Sequence, residues 1–205
     1  MSKTKQKILD AALKLFNELG YQQVTIRMIA LELQMSSGNL NYHFKKREDI
    51  IEALYFQMVK DFDERVDTLP QTKISFPQIH HDMHTSMQRM VRYKFIWTDL
   101  YSLLNSNAKI FDHFSKAHQR RTHGCAFLFN HLIQEGFMRR ASFTGEYDML
   151  AERMINFGDT WLYTTAVYQR QPTEAYILKQ SKALLGTLYP YLTQKGMHAY
   201  EAVNT

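Results

Sequence analysis

Cysteine is almost absent from this chain of 205 residues: Cys125 is the single one. That excludes an internal disulfide framework and fits a reducing compartment. It lies in the apolar run Cys125, Ala126, Phe127, Leu128 and Phe129, where a buried, unreactive thiol is expected. Long hydrophobic runs are also missing. No segment approaches the roughly 20 apolar residues that a membrane-spanning helix requires. The opening M-S-K-T-K-Q is polar, unlike a secretory signal, so the expected location is the cytoplasm, with no membrane partner. The chain has no Gly-rich phosphate loop, no nucleophile elbow and no Cys–His pairing in a recognisable context. Neither an enzyme nor a bound cofactor is therefore expected. Internal repeats and low-complexity tracts are missing as well.

Hydrophobic residues make up 45% of the chain, enough for a sizeable core, and the formal charge is +5 with a pI near 9.2. That balance favours an anionic partner modestly. The cations are local: Lys3, Lys5 and Lys7 open the chain, and Lys45, Lys46 and Arg47 form a second cluster. Glu48, Asp49, Glu52, Asp61, Asp63 and Glu64 then offset the charge.

The stretch Thr25–Arg47 carries most of the information. It reads as two short helices broken at Gln34-Met35-Ser36. Thr25 is placed to cap the first, whose inward positions are Ile26, Ile29, Ala30 and Leu33. Ser36 is placed to cap the second, where Leu40 and Phe44, four residues apart, form a minimal buried stripe. Ser37, Gly38, Asn39, Asn41, Tyr42 and His43 remain for the open surface. That face is rich in hydrogen-bonding groups and contains no acid, as a helix in a DNA major groove requires, because amides and hydroxyls read base edges while phosphates repel carboxylates.

With its surroundings, this stretch resembles the N-terminal DNA-binding domain of the TetR family of bacterial transcriptional regulators. The resemblance covers Lys3–Ile51 and runs through I-L-D-A-A-L-K-L-F (8–16), Gly20-Tyr21, Thr25-Ile26-Arg27, Ile29-Ala30, Met35-Ser36-Ser37-Gly38-Asn39-Leu40, His43-Phe44 and Arg47-Glu48-Asp49-Ile50. It implies an all-α protein: a three-helix helix-turn-helix domain, residues 1–47, followed by a helical effector-binding and dimerisation domain, residues 48–205, with helix 48–66 as connector. It further implies a homodimeric repressor that a small molecule releases from DNA. The sequence departs from the family pattern at three positions. Gln34 stands where the inter-helix turn commonly has Gly, Asn41 where a phosphate-contacting Tyr is usual, and Arg47 where Lys is frequent. Tyr42 is one place on, about 100° further round the helix.

The DNA-contacting set is therefore Thr25, Arg27, Ser36, Ser37, Gly38, Asn39, Asn41, Tyr42, His43, Lys46 and Arg47. Thr25, Tyr42, Lys46 and Arg47 are assigned to phosphates, and Asn39 and Asn41 to base edges. Gly38 lets the helix approach closely, and His43 either donates to a phosphate or packs beside Phe44. The partner is a palindromic double-stranded operator.

Helical periodicity predicts helices near 4–19, 47–66, 78–93, 94–105, 108–135, 146–169 and 173–189, with a boundary at 67–77 and a frayed tail after Pro190. The first helix is expected to bury Ile8, Ala11, Ala12, Leu15, Phe16 and Leu19. The C-terminal region is aromatic, and Phe95, Tyr101, Phe111, Phe127, Met154, Phe157 and Trp161 are candidate linings for an apolar or aromatic effector; the alternative is ordinary core. The stripes Leu150, Met154, Phe157, Trp161 and Ile177, Leu184, Leu188, Tyr191 on the last two long helices suit a four-helix dimer interface or packing within one chain. His80, His81 and His84 share a helical spacing that invites a metal reading, but an exposed helix start is the favoured one and no metal is expected. Two other functions compete: an architectural DNA binder without effector, and a small-molecule-binding helical module with vestigial DNA binding.

Overall fold

The computed structural model describes residues 2–66 and 74–203. Its helices are α1 (Lys3–Leu19), α2 (Ile26–Glu32), α3 (Ser37–His43), α4 (Arg47–Val66), α5 (Phe76–Arg92), α6 (Lys94–Thr98), α7 (Leu100–Ser106), α8 (Ala108–Gln134), α9 (Glu146–Val167), α10 (Glu174–Gly186) and α11 (Gln194–Glu201). The described residues contain no strand, only an isolated bridge between Met138 and Leu192. The all-α expectation holds. None of these helices is long and apolar enough to cross a membrane. The expected boundary at 67–77 falls outside the described residues up to 73. Beyond it, α5 already starts at Phe76, with Pro77 in the first turn, where a missing N–H costs no hydrogen bond.

Two compact units divide the chain: 1–70 with 92–111, and 71–91 with 112–205. In the first, α1 packs against α2, α4 and α6. Contact from several sides widens its buried arc, so Leu9 and Leu13 join Ile8, Ala12, Leu15 and Phe16 in the core. Ala11 is only half-buried and Leu19 is exposed, against the single-stripe expectation. α4 contributes Ile51, Leu54, Tyr55 and Met58.

The segment 94–105 was expected as one helix and is two. The chain breaks before Lys94 and again at Asp99. Asn17 of α1 serves the first break: its Nδ2 donates to the Arg92 carbonyl at 2.8 Å, and its Oδ1 accepts from the Phe95 N–H at 3.0 Å. One side-chain amide thus satisfies a carbonyl and an N–H orphaned by the break. Beside it Phe95 stacks on Phe16 at 5.0 Å. Tyr93 donates to Asp61 at 2.6 Å, and Asp61 also takes Arg92 at 3.1 Å. Burial first, and then Asp61, push the Tyr93 phenol up to about 12.

In the second unit, α5 meets α10 through a polar seam and α9 through an apolar one. His80 and His84 approach Ser181 Oγ at 3.0 and 3.3 Å, and His84 also meets Glu174 at 2.7 Å. On the apolar side the Trp161 indole N–H reaches Met90 Sδ at 3.3 Å. The C-terminal tail, expected to fray, forms α11. Thr193 caps it, and Gly196 lies so close to the chain that a Cβ would come within 2.0 Å of the Phe137 carbonyl oxygen.

Candidate nucleic-acid interface

α2 and α3 form where the local chemistry directs. Thr25 Oγ1 accepts from the Met28 N–H at 3.3 Å, and Ser36 Oγ accepts from the Asn39 N–H at 3.1 Å. Each hydroxyl caps its helix as acceptor, which leaves its own O–H to donate outward. Thr25 and Ser36 are both exposed. Between the helices, Gln34 adopts φ +53°, and the turn closes through Gln34 N–H to Leu31 O at 3.0 Å and Met35 N–H to Ala30 O at 2.9 Å.

α3 is anchored by Leu40 and Phe44, both buried. Ser37, Gly38, Asn39, Asn41 and Tyr42 are exposed, and His43 is half-buried. Tyr42 is 85% exposed, its ring edge-on to His43 at 5.2 Å. A Cβ at Gly38 would meet only Ser36 Oγ, at 3.9 Å, so this glycine answers no internal crowding. Its effect is to keep the outer surface low. Arg27, Lys45 and Lys46 are exposed as well. The nearest acid on α2, Glu32, is held by Lys14 at 2.8 Å.

Arg47 also has partners within the chain. Its Nη1 donates to the carbonyls of Tyr21 and Val24 at 3.2 and 3.3 Å, and its guanidinium lies 5.0 Å from the Tyr21 ring centroid. Its Nη1 thereby ties the start of α4 to the segment leading into α2, while the side chain stays partly exposed. Lys5, which the periodicity did not single out, sits 5.6 Å over the Phe44 ring. No local pattern announces either contact, because both join residues far apart in the chain.

The candidate effector linings divide between the two units. Phe95 belongs to the first unit and is taken up by Phe16. Tyr101, Phe111 and Phe127 are 80%, 55% and 69% exposed. Met154, Phe157 and Trp161 remain, spaced along α9 and buried or half-buried. The dimer stripes also pack inward: Leu150, Met154, Trp161, Ile177, Leu184 and Leu188 are all buried within the chain.

Known proteins agree with this architecture. The family model described as bacterial regulatory proteins, tetR family, matches residues 8–54, and the TetR model described as bacterial transcriptional repressor matches residues 57–200. An uncharacterized HTH-type transcriptional regulator of Bacillus subtilis is 22% identical over 106 residues, 52% of this chain and 54% of the relative. A Staphylococcus aureus HTH-type transcriptional regulator is 29% identical over 90 residues, 44% of this chain and 47% of the relative. The chain thus spans about half the length of the curated relatives it matches. These relatives are transcriptional regulators, not enzymes. Among solved structures, a TetR-family transcriptional regulator from Marinobacter aquaeolei shares the fold with a TM-score of 0.87 at 23% identity, covering 98% of this chain and 97% of that one. A putative transcriptional regulator from Saccharomonospora viridis, in complex with choline, has a TM-score of 0.71 at 22% identity, covering 95% of this chain and 100% of that one.

Proposed function

The chain belongs to the TetR family of transcriptional regulators, and from that membership we propose a cytoplasmic, homodimeric repressor that binds a palindromic operator and is released by a small-molecule effector. Residues 1–47 are the DNA-reading domain, and 48–205 the effector-binding and dimerisation domain, with 48–66 as connector. The observation that carries the DNA reading is the outer surface of α3: Ser37, Gly38, Asn39, Asn41 and Tyr42 exposed together on a capped helix without an acid.

Asn39 and Asn41 supply amides suited to adenine N6 and N7. Thr25, Ser36, Ser37, Arg27, Tyr42, His43 and Lys46 contact phosphates, which set register and make affinity fall steeply with salt. Arg47 contributes by holding α4 in place. On the effector side, the choline bound by the Saccharomonospora viridis regulator supports a small molecule in a helical unit of this kind, and Met154, Phe157 and Trp161 offer it an apolar wall. Release requires that the effector favour a dimer whose reading heads no longer match the two half-sites.

Selection of bound DNA from a random duplex pool at near-physiological salt tests the reading. A recovered palindrome is expected, and Asn39→Ala should cost roughly 1–3 kcal/mol of affinity and relax preference at one base pair per half-site. Tight, salt-sensitive binding to unrelated sequences would instead mark an architectural protein. Absence of DNA binding altogether would leave a small-molecule-binding module.

A further inference from the structure

One buried hydroxyl is shared between α5 and α10, within the second unit. Ser181 Oγ on α10 belongs to a residue with no exposed surface. It lies 3.0 Å from His80 Nε2, 3.3 Å from His84 Nδ1 and 2.9 Å from the Leu178 carbonyl oxygen. His84 Nε2 lies 2.7 Å from Glu174 Oε1, which also accepts from Gln88 Nε2 at 2.9 Å. Lys182 on α10 and His81 on α5 also act on this cluster through their charge.

The capacity of each group limits how protons are arranged. A hydroxyl gives one proton and accepts two, and an ionised carboxylate only accepts. Gln88 first, and then His84, hold the Glu174 carboxyl below its ordinary range, so it is ionised in neutral and mildly acidic solution. The contact with Glu174 therefore needs a proton on His84 Nε2, which leaves Nδ1 to decide the charge of the ring. A bare Nδ1 accepts the Ser181 proton. A protonated Nδ1 donates to Ser181, whose own proton turns to the Leu178 carbonyl. His80 donates to Ser181 from Nε2 in both arrangements. It stays neutral, because burial first, and then His84, Lys182 and His81, lower its affinity for a second proton. Neither His84 nitrogen nor the Ser181 hydroxyl is left unmet by the exchange.

We propose that His84 and Ser181 form a proton-dependent latch: a proton taken from water at His84 Nδ1 turns the Ser181 hydroxyl from His84 to Leu178 and gives α5 an ion pair with Glu174 of α10. Water reaches the site, since the His84 side chain is 16% exposed and that of Glu174 66%. The ion pair exists only with the proton on. The folded state therefore gains from it as pH falls through the range in which imidazoles charge, about 6.5, and loses it as pH rises. Exposure of Glu174 screens the pair and keeps the gain modest.

Thermal unfolding of the full-length protein at pH 8 and pH 5.5 tests the latch through a double-mutant cycle of His84→Gln, Glu174→Gln and the two together. The coupling between the two sites should rise by about 2 °C in acid. Ser181→Ala leaves the Nδ1 proton of the charged His84 without an acceptor, so it should fall further below the wild type at pH 5.5 than at pH 8. Coupling that is equal at the two pH values, or smaller in acid, would overturn the latch, as would a Ser181→Ala gap that does not widen. Imidazole nitrogen NMR of the wild type supplies a check that needs no variant. His84 should bear its proton on Nε2 at pH 8 and on both nitrogens in acid, with His80 still carrying one. A proton on His84 Nδ1 at pH 8, or charging of His80 ahead of His84, would equally overturn the latch.

Discussion

Gln34 shows what one residue does to a functional turn. The turn between α2 and α3 needs a left-handed residue, and Gln34 supplies it at φ +53°. A side chain with a Cβ pays roughly 1–2 kcal/mol for that conformation, while glycine adopts it freely and gives back part of the gain through unfolded-chain entropy. Gln34→Gly should therefore stabilise the protein by about 0.5–1 kcal/mol, raising the urea midpoint without altering the slope; a lower midpoint would show that the glutamine side chain contributes something the turn geometry does not reveal. The exchange of Gly for Gln was legible in the sequence; that the turn keeps its geometry regardless was not, because backbone strain is set by the surrounding packing. The caps Thr25 and Ser36, and the buried Leu40 and Phe44, were legible for the opposite reason: each is a local pattern within four residues. The sequence suggests a phosphate contact for Arg47, whereas its engagement with Tyr21 and Val24 depends on a fold that brings the start of α4 back to the head.

At the scale of elements, the connection between α8 and α9 is fixed by an ion pair that spans it. Arg139 Nη1 and Nη2 donate to the two Glu146 carboxylate oxygens at 2.8 and 2.6 Å, the Ser142 N–H donates to the same group at 2.6 Å, and Tyr147 donates to the Arg139 carbonyl at 2.5 Å. Glu146 is buried in the first turn of α9, where the helix dipole also favours negative charge. Arg139 first, and then the Ser142 N–H, hold its carboxyl at about 2, against an ordinary 4.5. Because the folded value is the lower one, the unfolded chain takes the proton first. The stabilisation is complete above about pH 4.5 and is lost as pH falls towards 2. Melting temperatures between pH 7 and pH 2 should show Glu146→Gln less stable than the wild type at neutrality, with the two curves converging in acid; parallel curves would remove Glu146 from the acid response. Helix periodicity located α8 and α9 themselves and placed the break before Lys94, yet it missed the break at Asp99 and all of α11. Asn17 at the first break and Phe137 beneath Gly196 are distant partners, and apolar spacing carries no information about either of them.

For the whole molecule, the proposed homodimer raises the question of which surface meets a second copy. The apolar stripes legible in α9 and α10 are spent inside one chain, because spacing alone cannot distinguish a stripe that faces a sister helix from one that faces another protomer. The opposite side of α9 offers a different surface. Met149, Arg153, Asn156, Thr160, Tyr163 and Val167 succeed one another at steps of four, three, four, three and four, the spacing of a helix–helix seam, and all six are exposed. Met149, Tyr163 and Val167 are 53–55% exposed, more apolar surface in a row than scattered surface residues account for. A seam with apolar ends and a polar middle suits self-association in one register. Val167→Arg places a charge in that seam without touching the buried Leu150, Met154 and Trp161, so helicity should be retained while sedimentation reports the mass of one chain. A monomer engages one half-site at a time, and losing the linkage between half-sites should weaken binding to a selected palindrome by roughly 10²–10⁴-fold, with little change on an isolated half-site. A variant that remains dimeric would move the interface off this face of α9. One that turns monomeric yet binds the palindrome as tightly as before would show that the heads read DNA independently, and the protein would then owe its specificity to α3 alone.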